Sequence, residues 1–361
     1  MSLRIGVLAS VAHRTPPRDY GPWEQVASTL AEGLHALGHE VTLFATTDSS
    51  TAGRLVSTAP TGYEEDATLD AKVVECLHTA SAFERADEFD VLSNQFDFLP
   101  LTYSRLVRTP VVTTVHGFSS EEVVEVYRAY DDVARYVSIS DADRHADLGY
   151  EATIHHGVDL ASFTYREQPA DHLLFLGRIH PHKGTHLAIE VARRAGLPLV
   201  IAGIVQDRDY FEALVRPHLS GDVSYVGSVG PHERDALLGS ARALLHLISF
   251  DEPFGLSVVE AMATGTPVVA FGRGSLPELV VHGVTGFLVD SVADAVRAVG
   301  RPVDRGACRA HVEQHFTAQR MVARYDDLLE RVVHGGQPPV SRANRAGTST
   351  IAKRTESSLA P

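Results

Sequence analysis

Short apolar segments alternate with longer amphipathic segments along the first 160 residues. The segment LRIGVLA at 3–9 is almost entirely apolar, which is typical of a strand buried in a parallel sheet. The segment PWEQVASTLAEGLHALGHE at 22–40 predicts a helix that ends at Gly38, because apolar residues recur in it at helical spacing: Val26, Leu30, Leu34 and Leu37. Four further apolar runs follow: EVTLFAT, DVLSNQ, PVVTTVH and YVSIS. This alternation predicts a parallel sheet covered by helices.

The pattern is interrupted at 156–171, where HGVDLASFTYREQPAD contains mostly polar and turn residues. Alternation then resumes with HLLFLG, PLVIAG, VSYVG, ALLHLI and PVVAF. We therefore predict an α/β protein of two tandem doubly wound domains, residues 1–160 and 161–334. A helix predicted over 317–333 is expected to pack back on the first domain. The segment 335–361 is rich in Gly, Pro, Ser and Thr and is predicted to be a disordered tail.

Length and composition agree with this organisation. A chain of 361 residues exceeds what one hydrophobic core usually organises. Hydrophobic residues make up 44% and charged residues 22%, and no apolar run reaches the ~18 residues of a membrane-spanning helix. The amino-terminal residues lack a signal-peptide pattern, and Cys76 and Cys308 cannot form a disulfide framework. We expect a cytoplasmic protein.

Acidic residues are concentrated in the first half of the chain. Residues 1–160 contain 11 Lys and Arg against 25 Asp and Glu, whereas residues 161–361 contain 21 of each, so the net charge of −14 belongs to the first half. Nucleic acids and anionic membranes favour basic surfaces, so we expect no nucleic-acid partner and no stable membrane insertion. Solubility alone is the simpler explanation of the excess charge.

Several polar residues follow directly after predicted strands. His116 ends PVVTTVH, Arg178 follows HLLFLG, Gly203 ends PLVIAG, and Glu252 comes just after ALLHLI. In doubly wound sheets, ligands bind outside the carboxyl ends of the strands. The sequence therefore predicts a binding cleft between the two domains.

An anion site is predicted at the segment FGLSVVEAMATG, residues 254–265. Its first residues lead into a helix, and a helix start offers unpaired amide groups and the positive end of a dipole. Gly255 permits close approach of a ligand, and Pro253 restricts the preceding Glu252 to an extended conformation. Carboxylates beside such a site accept hydrogen bonds from sugar hydroxyls, so Glu252 and Glu260 are interpreted as sugar-side and ribose-side acceptors of a nucleotide sugar. Taken singly, each glutamate could instead be a solvated surface residue.

Two cations accompany this site. Arg178 and Lys183 lie in LFLGRIHPHKGTHLAIE at 174–190, at the end of a strand and the start of the next helix, where they could clamp a diphosphate. The order Lys183-Gly184-Thr185 differs from the Gly-Lys-Ser/Thr of a nucleotide-triphosphate loop. Either cation alone could equally be a surface residue.

The segments LLFLGRIHPHKG, EPFGLSVVEAMATGTPVVAF and PELVVHGVTGFLV resemble the donor-domain motifs of the family 4 retaining glycosyltransferases, which have the two-domain GT-B fold. The resemblance extends over roughly residues 3–333, and it includes His116 and the segment His156-Gly157-Val158-Asp159 in the first half. Two positions depart from the family pattern: Gly21-Pro22 stands where the family has Gly-Gly, and His156 stands where it has Asn.

This resemblance implies that the chain transfers a hexose or N-acetylhexosamine from a nucleoside diphosphate sugar with retention of configuration, without a cofactor or a metal. Arg178 and Lys183 would hold the diphosphate, Glu260 the ribose, and Glu252 and His116 the sugar hydroxyls. The leaving phosphate itself would help to deprotonate the acceptor, and no nucleophile with an activating base is evident. The implied binding residues also include Gly21, Gly177, Gly203, Val229, Phe254, Gly255, Leu256 and Ser257.

Other interpretations of these residues remain open. The triplets 141–143 and 207–209, both Asp-x-Asp, could bind a divalent metal in a metal-dependent glycosyltransferase, although Ser140 and Asp143 also fit a helix capping box. A histidine group could bind zinc: His155, His156, His180, His182 and His186. A catalytically silent nucleotide-sugar-binding protein would keep the same fold. A dinucleotide dehydrogenase is excluded because no G-x-G-x-x-G follows LRIGVLA.

The two substrates are only partly indicated by the sequence. The segment VGSVGPHE at 226–233 should lie near the nucleobase, and only Glu233 there could accept the two adjacent donors of guanine, so a UDP-sugar is favoured over a GDP-sugar. The acidic first domain favours a neutral or amine-bearing acceptor, a small molecule or a glycoside.

Overall fold

The computed structural model describes residues 2–118 and 120–335. In the first half, seven parallel strands form one sheet in the order β3-β2-β1-β4-β5-β6-β7. The strands are β1 (Arg4–Leu8), β2 (Glu40–Phe44), β3 (Arg54–Val56), β4 (Val91–Asn94), β5 (Val111–Val115), β6 (Arg135–Ser138) and β7 (Tyr150–Thr153). The helices connecting them are α1 (Pro22–Ala36), α2 (Ala71–Phe83) and α3 (Glu121–Tyr130).

In the second half, six parallel strands form another sheet in the order β10-β9-β8-β11-β12-β13. These strands are β8 (Leu173–Leu176), β9 (Leu199–Ala202), β10 (Val223–Tyr225), β11 (Ala243–His246), β12 (Val268–Phe271) and β13 (Gly286–Val289). The helices are α4 (Thr185–Ala195), α5 (Arg208–Tyr210), α6 (Pro231–Ser240), α7 (Leu256–Ala263), α8 (Leu276–Leu279), α9 (Val292–Ala298), α10 (Arg305–His315) and α11 (Ala318–Gly335). The predicted class, two doubly wound α/β units in tandem, is confirmed.

The central strands of each sheet are buried on both faces, as their continuous apolar sequences require. In the second unit, one apolar cluster packs under α4 and α9, and another packs under α7 and α10. Every residue of β5, β6 and β11 is buried. Polar side chains therefore reach the ligand side only where the strands end.

The last helix, α11, packs against the first unit rather than the second. Its residues Val322, Tyr325 and Leu329 belong to the same core cluster as Ile5 of β1 and Leu30 of α1. A Cβ atom on Gly33 of α1 would lie only 2.3 Å from a methyl carbon of Val322, so the two helices touch through this glycine. Gly335 is the last residue of α11, and the rest of the predicted disordered tail, 336–361, lies outside the described residues.

The chain crosses between the two units at two adjacent segments. The amide of Val158 donates to the carbonyl of Phe316 at 2.9 Å, and the amide of Ala318 donates back to the carbonyl of Val158 at 2.9 Å. The outgoing and returning segments are thus paired side by side. Within the part of the chain that the structure describes, no helix is both long and apolar enough to cross a bilayer.

Candidate active site

A cavity of about 480 Å³ lies where the carboxyl ends of the strands in the two sheets face each other. This volume is in the range typical of small-molecule sites. Its lining includes every residue to which the family resemblance assigns a role: Gly21, His116, Gly177, Arg178, Lys183, Gly203, Val229, Glu252, Phe254, Gly255, Leu256, Ser257 and Glu260. The structure thus brings them together, while the role of each one stays a prediction.

Glu252 and Lys183 form an ion pair inside this cavity. Lys183 Nζ lies 2.6 Å from Glu252 Oε2, and His246 Nε2 lies 3.2 Å from the same oxygen. The Glu252 side chain is only 12% exposed. Burial raises the pKa of Glu252, but the hydrogen bond from His246 and the charge of Lys183 outweigh it and bring the pKa to about 2. The carboxylate is therefore ionised at neutral pH.

The beginning of α7 presents free amide groups to the cavity. Gly255 precedes the helix with φ 98°, a left-handed conformation that glycine adopts without strain. The amide of Val258 donates to the carbonyl of Gly255 at 3.0 Å. The amides of Leu256 and Ser257 have no partner among the described residues, and no side chain there caps the helix. A phosphate oxygen could accept both amides.

Arg178 lines the same cavity and follows a close contact between two strand ends. Gly203, at the end of β9, has φ 140°, and a Cβ atom on it would lie 1.9 Å from the carbonyl oxygen of Gly177. Only glycine allows this approach. Arg178 follows directly, and its Nη1 donates to Gln206 Oε1 at 2.9 Å.

Glu260 is paired with an arginine that the sequence analysis missed. Arg234 on α6 places Nη1 3.3 Å from Glu260 Oε1 and Nη2 2.5 Å from the carbonyl oxygen of Asp19, in the loop between β1 and α1. Arg234 and Asp19 also line the cavity. No local motif identifies Arg234, because both of its partners are distant in sequence.

His116 is embedded in a buried polar network. Its Nε2 lies 3.2 Å from Gln95 Oε1, its Nδ1 lies 3.3 Å from His156 Nε2, and its ring stacks on Trp23 with centroids 5.4 Å apart. Burial lowers the pKa of His116 to about 3. Burial and the adjacent His116 lower the pKa of His156 as well. Both imidazoles are therefore neutral at pH 7.

The Asp-x-Asp triplets occupy structural positions. Asp207 caps α5 by accepting the amide of Tyr210 at 2.9 Å. Ser140 Oγ accepts the amide of Asp143 at 3.1 Å, as a capping box requires, but the expected helix is absent there and residues 142–143 form a turn. The Ser140 hydroxyl also donates to the carbonyl of Pro253 at 2.7 Å, across the domain interface.

The candidate zinc ligands have separate partners. His155 Nε2 lies 2.8 Å from Glu278 Oε2, His156 contacts His116, and His186 Nδ1 lies 2.7 Å from the Tyr210 hydroxyl. Across residues 2–118 and 120–335, no three His, Cys, Asp or Glu side chains converge in a way that could hold a metal ion.

Two doubly wound domains facing each other across a cleft, with the last helix returning to the first domain, define the GT-B class. Two family models match the chain, Glycosyltransferase Family 4 over residues 23–162 and Glycosyl transferases group 1 over residues 165–301. Together they account for most of the chain. The protein belongs to the family 4 glycosyltransferases of GT-B fold.

Individual proteins resemble the chain to different extents. A D-inositol 3-phosphate glycosyltransferase of Mycolicibacterium gilvum is 38% identical over 166 residues, which are 41% of this chain and 37% of that protein. The chain spans less than two thirds of the length of the curated relatives it matches. The crystal structure of AviGT4, a glycosyltransferase involved in avilamycin A biosynthesis, has a TM-score of 0.72 and 25% identity, covering 93% of this chain and 100% of that one. Anabaena HepE in complex with UDP-glucose has a TM-score of 0.67 and 19% identity, covering 91% of this chain and 99% of that one.

Proposed function

We propose that this protein transfers a sugar from a nucleoside diphosphate donor, with retention of configuration, to a neutral or amine-bearing small molecule or glycoside. The observation that carries this proposal is the division of charge in the cleft. The cations that line it, Arg178, Lys183 and Arg234, all belong to the second domain. Among the described residues of the first domain that line it, none is Lys or Arg.

The second domain offers a binding set for a diphosphate. Arg178 and Lys183 provide positive charge, and the free amides of Leu256 and Ser257 add donors at the positive end of the α7 dipole. Such fixed donors stabilise the negative charge that develops on a departing diphosphate. Lys183 is now paired with Glu252, so the diphosphate would share this cation with the carboxylate.

The chemical step would then be supported chiefly by charge and position. The bond between the anomeric carbon and the diphosphate oxygen breaks, the acceptor oxygen or nitrogen bonds to that carbon on the same face, and the acceptor proton passes to the departing phosphate oxygen. His116 is a poor base at neutral pH, because burial lowers its pKa to about 3. This agrees with a mechanism in which the leaving group takes the proton.

A uridine base is favoured over guanine. Glu233, the one carboxylate in 226–233 that could pair with guanine, is exposed and does not line the cavity. Val229, in the same segment, does line it. The same fold holds UDP-glucose in Anabaena HepE.

The first-domain side of the cleft is rich in aromatic residues, and its charged residues are both acidic, Asp19 and Asp159. Tyr20, Trp23 and Phe118 line it, together with the neutral imidazole of His116. Aromatic rings of this kind pack against the apolar faces of sugar or cyclitol rings. A phosphate on the acceptor would find no Lys or Arg among the described residues of this wall.

Thermal unfolding with UDP, GDP, TDP or ADP, each with and without a chelator, tests the proposal. A ligand at ~100 times its Kd adds about 2.7 kcal/mol of stability. We expect a shift with UDP that survives the chelator, followed by turnover of a UDP-sugar and an NMR spectrum that shows the retained anomer. A shift that requires metal would favour the Asp-x-Asp interpretation. No shift with any nucleotide refutes the proposal, and binding without hydrolysis or transfer indicates a silent binding protein.

A further inference from the structure

Arg234 joins the donor domain to the loop that precedes α1. Its Nη1 lies 3.3 Å from Glu260 Oε1 and its Nη2 lies 2.5 Å from the carbonyl oxygen of Asp19. The Arg234 side chain is 23% exposed and that of Glu260 is 11% exposed. One guanidinium thus contacts the predicted ribose acceptor and a loop of the opposite domain at the same time.

The loop is anchored to its own domain from its base up to Arg18, which pairs with Asp48 at 3.2 Å and with Glu65 at 3.4 Å. The amide of Thr15 donates to Ser49 Oγ at 2.8 Å, and the amide of Arg14 donates to Glu65 Oε2 at 3.0 Å. Its tip, Asp19 to Gly21, reaches the cavity, and Pro22 provides no amide there. The hydrogen bond from Arg234 to the Asp19 carbonyl therefore holds the tip from the side of the opposite domain.

Other hydrogen bonds between the domains lie at a different part of the interface. Ser140 Oγ donates to the carbonyl of Pro253, and the amides of Asp141 and Ala142 donate to Glu278 at 3.0 and 2.8 Å. Those contacts hold the 140–142 segment to Pro253 and to α8, whereas Arg234 holds the loop that carries Tyr20 and leads into Trp23. The two sets of contacts share no residue.

We propose that Arg234 is a positioning residue that couples occupation of the ribose site to the position of the acceptor loop. This inference rests on the proposed function, because it takes Glu260 as the ribose acceptor. Glu260 has one oxygen on Arg234, and its other oxygen has no partner among the described residues and can accept a ribose hydroxyl. A bound ribose fixes the carboxylate, the carboxylate fixes the guanidinium, and the guanidinium holds the Asp19 carbonyl.

The chemistry requires arginine specifically. The two contacts use different nitrogens of one planar group, so both can form at fixed spacing. A lysine has a single ammonium group and a shorter reach, and it can keep the Glu260 ion pair without the Asp19 contact. Coupling between two sites is reciprocal, so the acceptor must strengthen donor binding by the factor by which the donor strengthens acceptor binding.

Amide hydrogen exchange of the loop, residues 12–23, tests the coupling. The exchange rate is measured with and without UDP, or with whichever nucleoside diphosphate shifts thermal unfolding. In the wild type, UDP should slow exchange in this loop although it binds to the other domain. Arg234→Lys should bind UDP within about threefold of the wild type, lose the UDP-dependent protection of the loop, and raise the acceptor KM roughly tenfold with little change in kcat. Arg234→Met should lose the same protection and also weaken UDP binding.

Arg242→Lys is the matched control. Arg242 also donates to a carbonyl oxygen, that of Val299 at 3.1 Å, and to a carboxylate, that of Asp171 at 3.4 Å. Unlike Arg234, it does not line the cavity. The control variant should keep the UDP-dependent protection. Full protection in Arg234→Lys, or equal loss in Arg242→Lys, overturns the inference while leaving the proposed function standing. Failure of the wild type to bind any nucleoside diphosphate overturns both.

Discussion

Replacing Lys183 by Met tests whether the Glu252 carboxylate depends on this cation. Methionine keeps much of the length of the side chain and removes its charge. Glu252, 12% exposed, would then keep only the hydrogen bond from His246, 3.2 Å away. Removing one partner of a buried ion pair typically costs 3 to 5 kcal/mol, because it leaves an uncompensated charge.

The pKa of Glu252 gives a second measure of the magnitude. Its ordinary value of 4.5 falls to about 2 in the folded protein, which corresponds to about 3 kcal/mol of stabilisation shared between His246 and Lys183. Because the folded pKa is lowered, this stabilisation is present above pH 4.5 and is lost as the pH falls towards 2. We therefore expect Lys183→Met to lose about 2 to 4 kcal/mol at pH 7 and progressively less below pH 4.5.

Urea unfolding followed by circular dichroism between pH 7 and pH 3 measures this loss. The double variant Lys183→Met, Glu252→Gln should recover at least half of it, because the amide carries no charge. Arg194→Met is the control, since it breaks an exposed pair with Glu190 whose side chains are 48% and 50% exposed, and it should cost less than about 0.5 kcal/mol. A loss below about 1 kcal/mol in Lys183→Met at pH 7, or an equal loss in the double variant, would refute the reasoning.

Further predictions concern the strand ends, a titrating aspartate and the two substrates. Gly203→Ala should destabilise the protein by more than about 2 kcal/mol in thermal unfolding, because the new Cβ would lie 1.9 Å from the carbonyl oxygen of Gly177. A smaller loss of stability would show that the two strand ends can separate. Burial and two acidic neighbours raise the pKa of Asp143 to about 7, so wild-type stability should fall as the pH rises from about 4 to 7. Asp143→Asn should abolish this fall and be about 2 kcal/mol more stable at pH 8, whereas parallel pH curves would contradict it. In steady-state kinetics, Glu260→Ala should mainly raise the donor KM, and Trp23→Ala should raise the acceptor KM. Lys183→Ala should strongly lower turnover. Unchanged donor kinetics in both Glu260→Ala and Lys183→Ala would refute the proposed donor site.

The sequence predicted what depends on local pattern. The buried strands β1, β5, β8 and β11 are apolar runs, and α1 has a clear helical period, so their positions followed directly. Three strands were not predicted: β3, with three residues, β7, with every residue half-buried, and β13, which begins with a glycine. Their short or mixed patterns resemble those of loops.

Contacts that cross the cleft were the least predictable part of the site. Glu252, Glu260 and Lys183 lie in recognisable local segments, but the Arg234 contact with Asp19 joins residues 215 positions apart. The stacking of Trp23 on His116 likewise depends on how α1 and β5 approach each other. The 140–143 segment shows the opposite error. The local contact between Ser140 and Asp143 forms as a capping box requires, but it leads into a turn instead of a helix.

The return of α11 to the first domain has a consequence for biosynthesis. The core around β1 and α1 includes six buried residues of α11: Met321, Val322, Tyr325, Leu328, Leu329 and Val332. A ribosome that adds 5 to 20 residues per second needs roughly 10 to 35 s to proceed from the end of the first domain to the end of this helix. During that time the first domain exposes the apolar groove that α11 will fill, and it completes its core only after the second domain has been synthesised. Nascent chains of this protein are therefore expected to need protection from aggregation while translation continues.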